Sequence, residues 1–463
     1  MATLRDDEVE AFARRELELH CPAMRLRRVG ATVEEISGPG LIRQAEDGQL
    51  TFLLYPTKGT PALSMHRHLG PPIEKDGVIE YRPLPLGSFV PEDKHFVLNV
   101  TDHSGRSWTA GPLLLDFDFP RGGPIAGRIR ELAHTGPCED GQATALASLR
   151  MLHEVRFTRD SDFVVADWRF TFKRSTAGHW FTARSAHETW PPNFDVRCIE
   201  ALQFVTGNEI RPSLIHTRSS GIAETRLTTI PSKDRVWPRR LPPMDDRYTN
   251  SGECSRKIFA AYLQYIVSWK DRSFHPLSTE WDPIVRSDVS TIETQALVLS
   301  VAIESIYHVV FMSDFQRRAR QENKDVIAVL KKWSRRILVW LDENDCPEPF
   351  RKRFAGNLGA MQGIRAEDWL RDLASQGLIT ESLIQFWKLV RNTSAHGDPE
   401  RHQGRRDTVE LLDHVLCLLY QLVFHAIGYS GGYIDYSTEG WQQREYPPSR
   451  VVRQSDQEPL TPG

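Results

Sequence analysis

At 463 residues the chain exceeds what one ordinary hydrophobic core can serve, so two or three domains are expected. A hydrophobic content of 40% beside 26% charged residues is ordinary for a soluble globular protein. The net charge of −3 excludes a global pull toward nucleic acid, so any such binding needs a local patch.

The first residues, Met1 to Glu18, alternate acidic and basic groups and carry no apolar signal core. From there to about residue 245 the pattern is that of strands and turns. Thr51 to Tyr55, Phe96 to Val100, Leu113 to Phe119 and Phe163 to Phe172 are rich in β-branched and aromatic residues. Clusters such as Gly38-Pro39-Gly40 and Gly122-Gly123-Pro124 separate them, and Glu46-Asp47-Gly48 predicts a hairpin. One helix interrupts the strands: Phe194 to Val205 carries Val196, Ile199, Leu202 and Phe204 on a helical period and ends at Gly207. The stretch 230–247, with Pro238, Pro242, Pro243 and several arginines, loses all period and marks the end of a β-rich domain, 1–245.

From 250 to 430 the period is helical. Ile292, Ala296, Leu299, Ile303, Ile306 and Val310 form one apolar seam, with Ser290-Thr-Ile-Glu293 as a capping box before it. Val409, Leu412, Leu416, Leu419 and Val423 form a second. Further helices are expected near 315–341, 348–358, 366–376 and 380–396. The apolar runs 296–312 and 411–429 contain Glu304, His308, Asp413, His414 and His425, and read as buried helices rather than membrane spans. Residues 431–463 read as a polar, poorly ordered tail. The fold class expected is therefore α+β multidomain, a β-rich N-terminal domain followed by an all-α bundle.

The cysteines, Cys21, Cys138, Cys198, Cys254, Cys346 and Cys417, are scattered and form no C-x-x-C, which suggests reduced thiols and a cytoplasmic setting. His66 and His68 form an H-x-H without further ligands nearby, so no metal is assigned. No G-x4-G-K-[ST] is present, and no cofactor is implied. Asp116 and Asp118 share a face of a presumed strand, a pairing too common to carry a hydrolase reading.

The most informative stretch is Arg391-Asn392-Thr393-Ser394-Ala395-His396, at the end of an apolar helical run and just before Gly397 and Pro399. A permanent cation and an imidazole that titrates near neutrality are the parts needed to cleave RNA without a metal. The spacing alone is not specific: Arg15/His20, Arg174/His179 and Arg211/His216 share it. At Arg391 alone does asparagine follow the arginine, in the helical half. Residues five apart on a continuous helix lie about 140° apart around its axis. Arg391 and His396 therefore converge only if the helix unwinds or a second subunit contributes. Arginine and histidine also favour helix C-termini for purely structural reasons.

On these residues the chain resembles the HEPN-domain ribonucleases of the ApeA-like anti-phage defence type. Ala296 to Tyr307, with Glu304 in mid-helix, is similar to an earlier long helix of that group. The G-x-L…D-G-x-L-x-F-x-L-Y pattern from Gly38 to Tyr55 and the helix Ile199 to Gly207 are similar to its β-rich N-terminal part. The resemblance implies a metal-independent endoribonuclease acting as a homodimer or higher homo-oligomer on an RNA substrate. A phage-derived protein or ligand would act as trigger at the N-terminal domain, with no membrane involved. In that scheme His396 takes the proton from a ribose 2′-OH, Arg391 holds the phosphate and Asn392 orients one of them. The products are a 2′,3′-cyclic phosphate and a 5′-OH. A non-catalytic dimerisation or RNA-binding module is the alternative.

Glu304, an acid on an apolar helix, needs a partner: either Arg391 or His396 in support of the motif, or any arginine in a structural ion pair. Residues 317–336 are strongly basic, and Lys331, Lys332 and Arg335 are candidates for an RNA backbone or simply a solvated face. Trp333 and Trp340, seven apart, read as core. Arg401, Arg405 and Arg406 follow the motif closely enough to reach a substrate phosphate, or form a charged loop.

Overall fold

The computed structural model describes residues 4–447 apart from 30–34, 60–68, 76–77, 84–94, 114, 116–122, 139–144, 152–156, 158–160, 176–177, 188, 230–239, 246, 314, 316, 318–320, 322–323, 362–364 and 397–404. For 6, 69–75, 78–83, 175, 324–327, 359–361, 393–396 and 405–407 it describes the backbone alone. The expected strand 113–119 beyond Leu115, His66, His68, Asp116, Asp118 and most of the connector 230–247 lie outside the described residues. The chain resolves into two compact units, Met1–Ile199 with Ile210–Trp237, and Glu200–Glu209 with Pro238–Gly463.

The first unit opens with helix α1 (Asp6–Arg14). It continues through strands β1 (Glu18–Arg28), β2 (Glu35–Gln44), β3 (Leu50–Leu54), β4 (Leu69–Lys75), β5 (Val78–Pro83), β6 (Phe96–Thr101), β7 (Ser107–Leu113), β8 (Ile125–Ile129) and β9 (Glu131–Pro137). After these come β10 (Leu146–Met151), β11 (Ser161–Val165), β12 (Trp168–Ser175), β13 (Gly178–Ser185), β14 (Leu214–Ser219) and β15 (Ile222–Thr228). Among the described residues, 13 of these strands make one sheet in the order β11-β12-β13-β10-β14-β15-β9-β7-β6-β1-β2-β3-β8, and β4 pairs with β5 apart from it. The pairings are antiparallel, as a chain of hairpins and meanders produces. Period-2 alternation drives the burial: Leu50, Phe52 and Leu54 of β3, and Phe96, Leu98 and Val100 of β6, share a core with Met24 and Leu26 of β1. The register of β1 shifts between Cys21 and Met24, where Pro22 cannot donate to the ladder.

The hairpin expected at Glu46-Asp47-Gly48 joins β2 to β3, with the Ala45 amide donating to Gln49 O at 2.8 Å and Gly48 at φ +85°. Two readings are corrected. Gly38-Pro39-Gly40 does not break the chain but lies inside β2, where β3 approaches closely. A Cβ on Gly38 would stand 1.9 Å from Tyr55 O, so only glycine fits. The single strand expected over 163–172 is two strands, β11 and β12, turned at Ala166 (φ +50°) and Asp167.

Helix α2 (Phe194–Thr206) closes at Gly207 as expected, at φ +65°. Its second half belongs to the helical unit, which continues with α3 (Ser251–Ile266), α4 (Pro276–Arg286), α5 (Ile292–Ile306), α6 (Lys324–Glu343), α7 (Glu348–Met361), α8 (Ala366–Ser375), α9 (Glu381–His396) and α10 (Arg405–Ile427). Phe204 stacks on Tyr262 at 4.6 Å and meets Trp281 edge-on at 5.2 Å. Helices α5, α9 and α10 pack on one another and bury Leu299, Ile303, Ile384, Trp387, Leu416 and Leu419. The two apolar segments Ile292–Phe311 and Thr408–Ile427 are long and apolar enough to cross a membrane, and here supply this core. The cap of α5 is Thr291, whose hydroxyl accepts from the Thr294 amide. Ser290 is not the cap, because its own hydroxyl turns back to Ser287 O.

Within the tail expected to be poorly ordered, residues 431–447 are structured. Strands β16 (Gly431–Asp435) and β17 (Gln442–Tyr446) form a hairpin that buries Tyr433, Ile434 and Tyr446. Asp435 accepts from the Ser437 amide at 3.0 Å and Arg444 Nε at 3.1 Å, and Gln421 of α10 donates to Tyr433 Oη at 2.9 Å. Aromatic side chains, which a polarity average hides, supply the burial.

Candidate functional site

Helix α9 is positioned by its apolar face. Leu383, Ile384, Trp387 and Val390 are buried, and Trp387 Nε1 donates to Ser300 O at 3.3 Å, which fixes the register of α9 on α5. One turn further along both helices, Arg391 reaches Glu304: the guanidinium Nε pairs with Glu304 Oε1. Arg391 also lies over the Trp387 ring, 5.6 Å from its centroid. The pair is not sealed: the Arg391 side chain is 53% exposed and that of Glu304 31%. Directly after Glu304 and its turn, α5 passes into a π-helical turn, Tyr307–Phe311, a local widening often found beside functional sites. On the other flank of α9, Lys388 and Arg371 both bind Glu367, at 2.8 and 2.7 Å. The hydrogen bond from Lys388 and the two cations hold the Glu367 carboxyl below its ordinary range.

Asn392 is exposed beside Arg391. The backbone stays helical through His396, so the unwinding that would let positions 391 and 396 converge within one chain does not occur up to that residue. The two positions stay about 140° apart around the axis. The His396 side chain lies outside the described residues, as do Arg401 entirely and the side chains of Arg405 and Arg406, whose backbone opens α10. Lys331, Lys332 and Arg335 are exposed on α6. Of the predicted site residues whose side chains are described, Arg391 and Glu304 are brought into contact.

The expectation that Trp333 and Trp340 are core is overturned: they are 54% and 57% exposed. The helix buries the row one residue on, Ser334 and Leu341, about 100° around the axis. The seven-residue repeat signals a shared face but not which face is inside. The cations Lys332 and Arg336 on the tryptophan side are the signal that sequence offers.

Among the described residues no group of three or more His, Cys, Asp or Glu lies together as metal ligands would. Comparison of the chain with protein-family models, with curated proteins and with solved structures found no match. What fold and site define is a class by architecture: an antiparallel β-sheet unit followed by a mostly helical one, carrying an arginine–carboxylate pair at the exposed end of a helix.

Proposed function

We propose that the chain is an endoribonuclease working without a metal as a homodimer, and that it serves as an anti-phage defence effector whose β-rich unit receives the trigger. The observation that carries this reading is the Glu304–Arg391 pair. A carboxylate from the neighbouring helix orients a guanidinium that still faces solvent, as a group meant to grip a phosphodiester requires. In the reaction His396 removes the 2′-OH proton of a ribose, and the freed oxygen attacks the adjacent phosphorus. Arg391 offsets charge on the phosphoryl oxygens, and the leaving 5′-oxygen takes up a proton. Asn392 is a hydrogen-bonding neighbour for the phosphate.

The continuous helix supports a composite cleft, in which Arg391 of one copy works with His396 of another. On α5, Leu297 (48%) and Val301 (52%) share the face of Glu304, an exposed apolar surface that a second copy would cover.

The test is cleavage of total RNA in EDTA by the wild type, Arg391→Ala and His396→Ala, alone and with extract of phage-infected cells. The expected result is wild-type cutting with cyclic-phosphate ends, lost in both variants while DNA survives. Equal cutting by all three proteins, or intact RNA under every condition, overturns the proposal.

A further inference from the structure

We infer that the exposed face of α6 formed by Val329, Trp333, Arg336 and Trp340 is a stacking platform for single-stranded RNA. On a helix these positions fall along one narrow stripe, since steps of three, four and seven residues return nearly to the same direction. All three apolar members are open to solvent: Val329 52%, Trp333 54% and Trp340 57% exposed. Between the two indoles sits Arg336, whose guanidinium lies 5.3 Å from the centre of the Trp333 ring. That contact makes a flat cationic surface, which suits a base with its phosphate. Seven residues rise about 10 Å, which is about three steps of a stacked strand at 3.4 Å per nucleotide. Lys332 borders the stripe, and Lys331 and Arg335 extend the positive charge around the helix.

The chemistry chooses the occupant. Between Ala328 and Leu341 the helix carries four cations and no acid, the acids Asp342 and Glu343 following at its end. Indoles at solvent between cations match a strand with a stackable base and a negative charge per nucleotide. Duplex RNA hides its base faces and cannot use the platform. The inference rests on RNA being the ligand of this unit, as proposed above, but not on cleavage.

The experiment uses the full chain and a fluorescein-labelled 12-mer of 2′-O-methyl RNA, which has no free 2′-OH and is not cut. Anisotropy titrations are expected to show that Trp333→Ala and Trp340→Ala each weaken binding roughly 5- to 150-fold. Trp333→Phe, which keeps a ring, should retain most of the affinity. Arg336→Gln should reduce the salt slope by about 0.7. The matching duplex should compete poorly. Wild-type affinity in both alanine variants, equal competition by the duplex, or no single-strand binding by the unmodified chain overturns the inference. So does a change in sedimentation of the double variant with RNA affinity intact, which would assign the face to protein. Cleavage is read separately, so an inert nuclease leaves a positive stacking result standing, and a failed stacking test leaves the nuclease proposal standing.

Discussion

Each unit contains an arginine held by carboxylate, and the two are built for different ends. In the β unit Arg106 is 5% exposed. It donates to both Glu8 oxygens at 2.6 and 2.7 Å and through Nε to Asp102 at 2.7 Å, while Trp108 Nε1 adds a bond to Asp102 at 2.9 Å. This network pins α1 to the β6–β7 hairpin. In the helical unit Arg391 meets Glu304 at an open edge. Burial makes the first arrangement a structural lock, because breaking it strands charges away from water. Exposure makes the second worth little to stability and leaves it available to a ligand.

Removing each arginine is the strongest way to break this contrast. Arg106→Ala should cost about 3–5 kcal/mol, read as a drop in the urea midpoint of the β unit. A loss under about 1 kcal/mol would put the lock in doubt. Arg391→Ala should lower cleavage roughly 100- to 1,000-fold with the melting curve almost unchanged. A large loss of stability there would make Arg391 a second structural lock.

Acid sharpens the comparison. Burial raises the Glu8 carboxyl, but bonds from Arg106 and the Arg5 amide and the two guanidinium charges outweigh it and hold the group at about 2, against an ordinary 4.5. Asp102 is lowered too: burial raises it, and bonds from Trp108 and Arg106 prevail. A depressed folded value means the stabilisation is complete above the unfolded value and is lost as pH falls from about 4.5 toward 2. For Glu8 that amounts to about 3 kcal/mol. Denaturant melts in this window should show a steep acid slope that flattens in Glu8→Gln. The smallest expected effect is on the other side: Glu304→Gln should change stability by no more than about 1 kcal/mol while weakening cleavage, since the amide still fills the site but no longer fixes the guanidinium by charge. Unchanged cleavage would mean Glu304 does not position Arg391.

Much of this was legible in advance because period and turn chemistry are local. The strand read at Thr51 to Tyr55, the Asp47-Gly48 turn and the seam from Ala296 to Ile306 depend on neighbours a few residues away. The turn and the seam fall where the sequence puts them, and the strand runs one residue earlier, Leu50–Leu54. The break inside 163–172 is not legible in the sequence, because its deciding feature, Ala166 in a left-handed turn, carries no glycine or asparagine to announce it. The hairpin 431–446 is hidden in the sequence because its buried tyrosines stand among polar neighbours.

By itself the chain determined the change from strand to helix periodicity, the residues of the Arg391–His396 motif and the need for Glu304 to find a partner, since each follows from composition and spacing along one helix or strand. Tertiary packing alone decided that the partner is Arg391, that the helix runs unbroken to His396, and that Trp333 and Trp340 face water. Which helix lies beside which, and which side of an amphipathic helix turns inward, depends on shape complementarity among segments distant in sequence, and no local period encodes it.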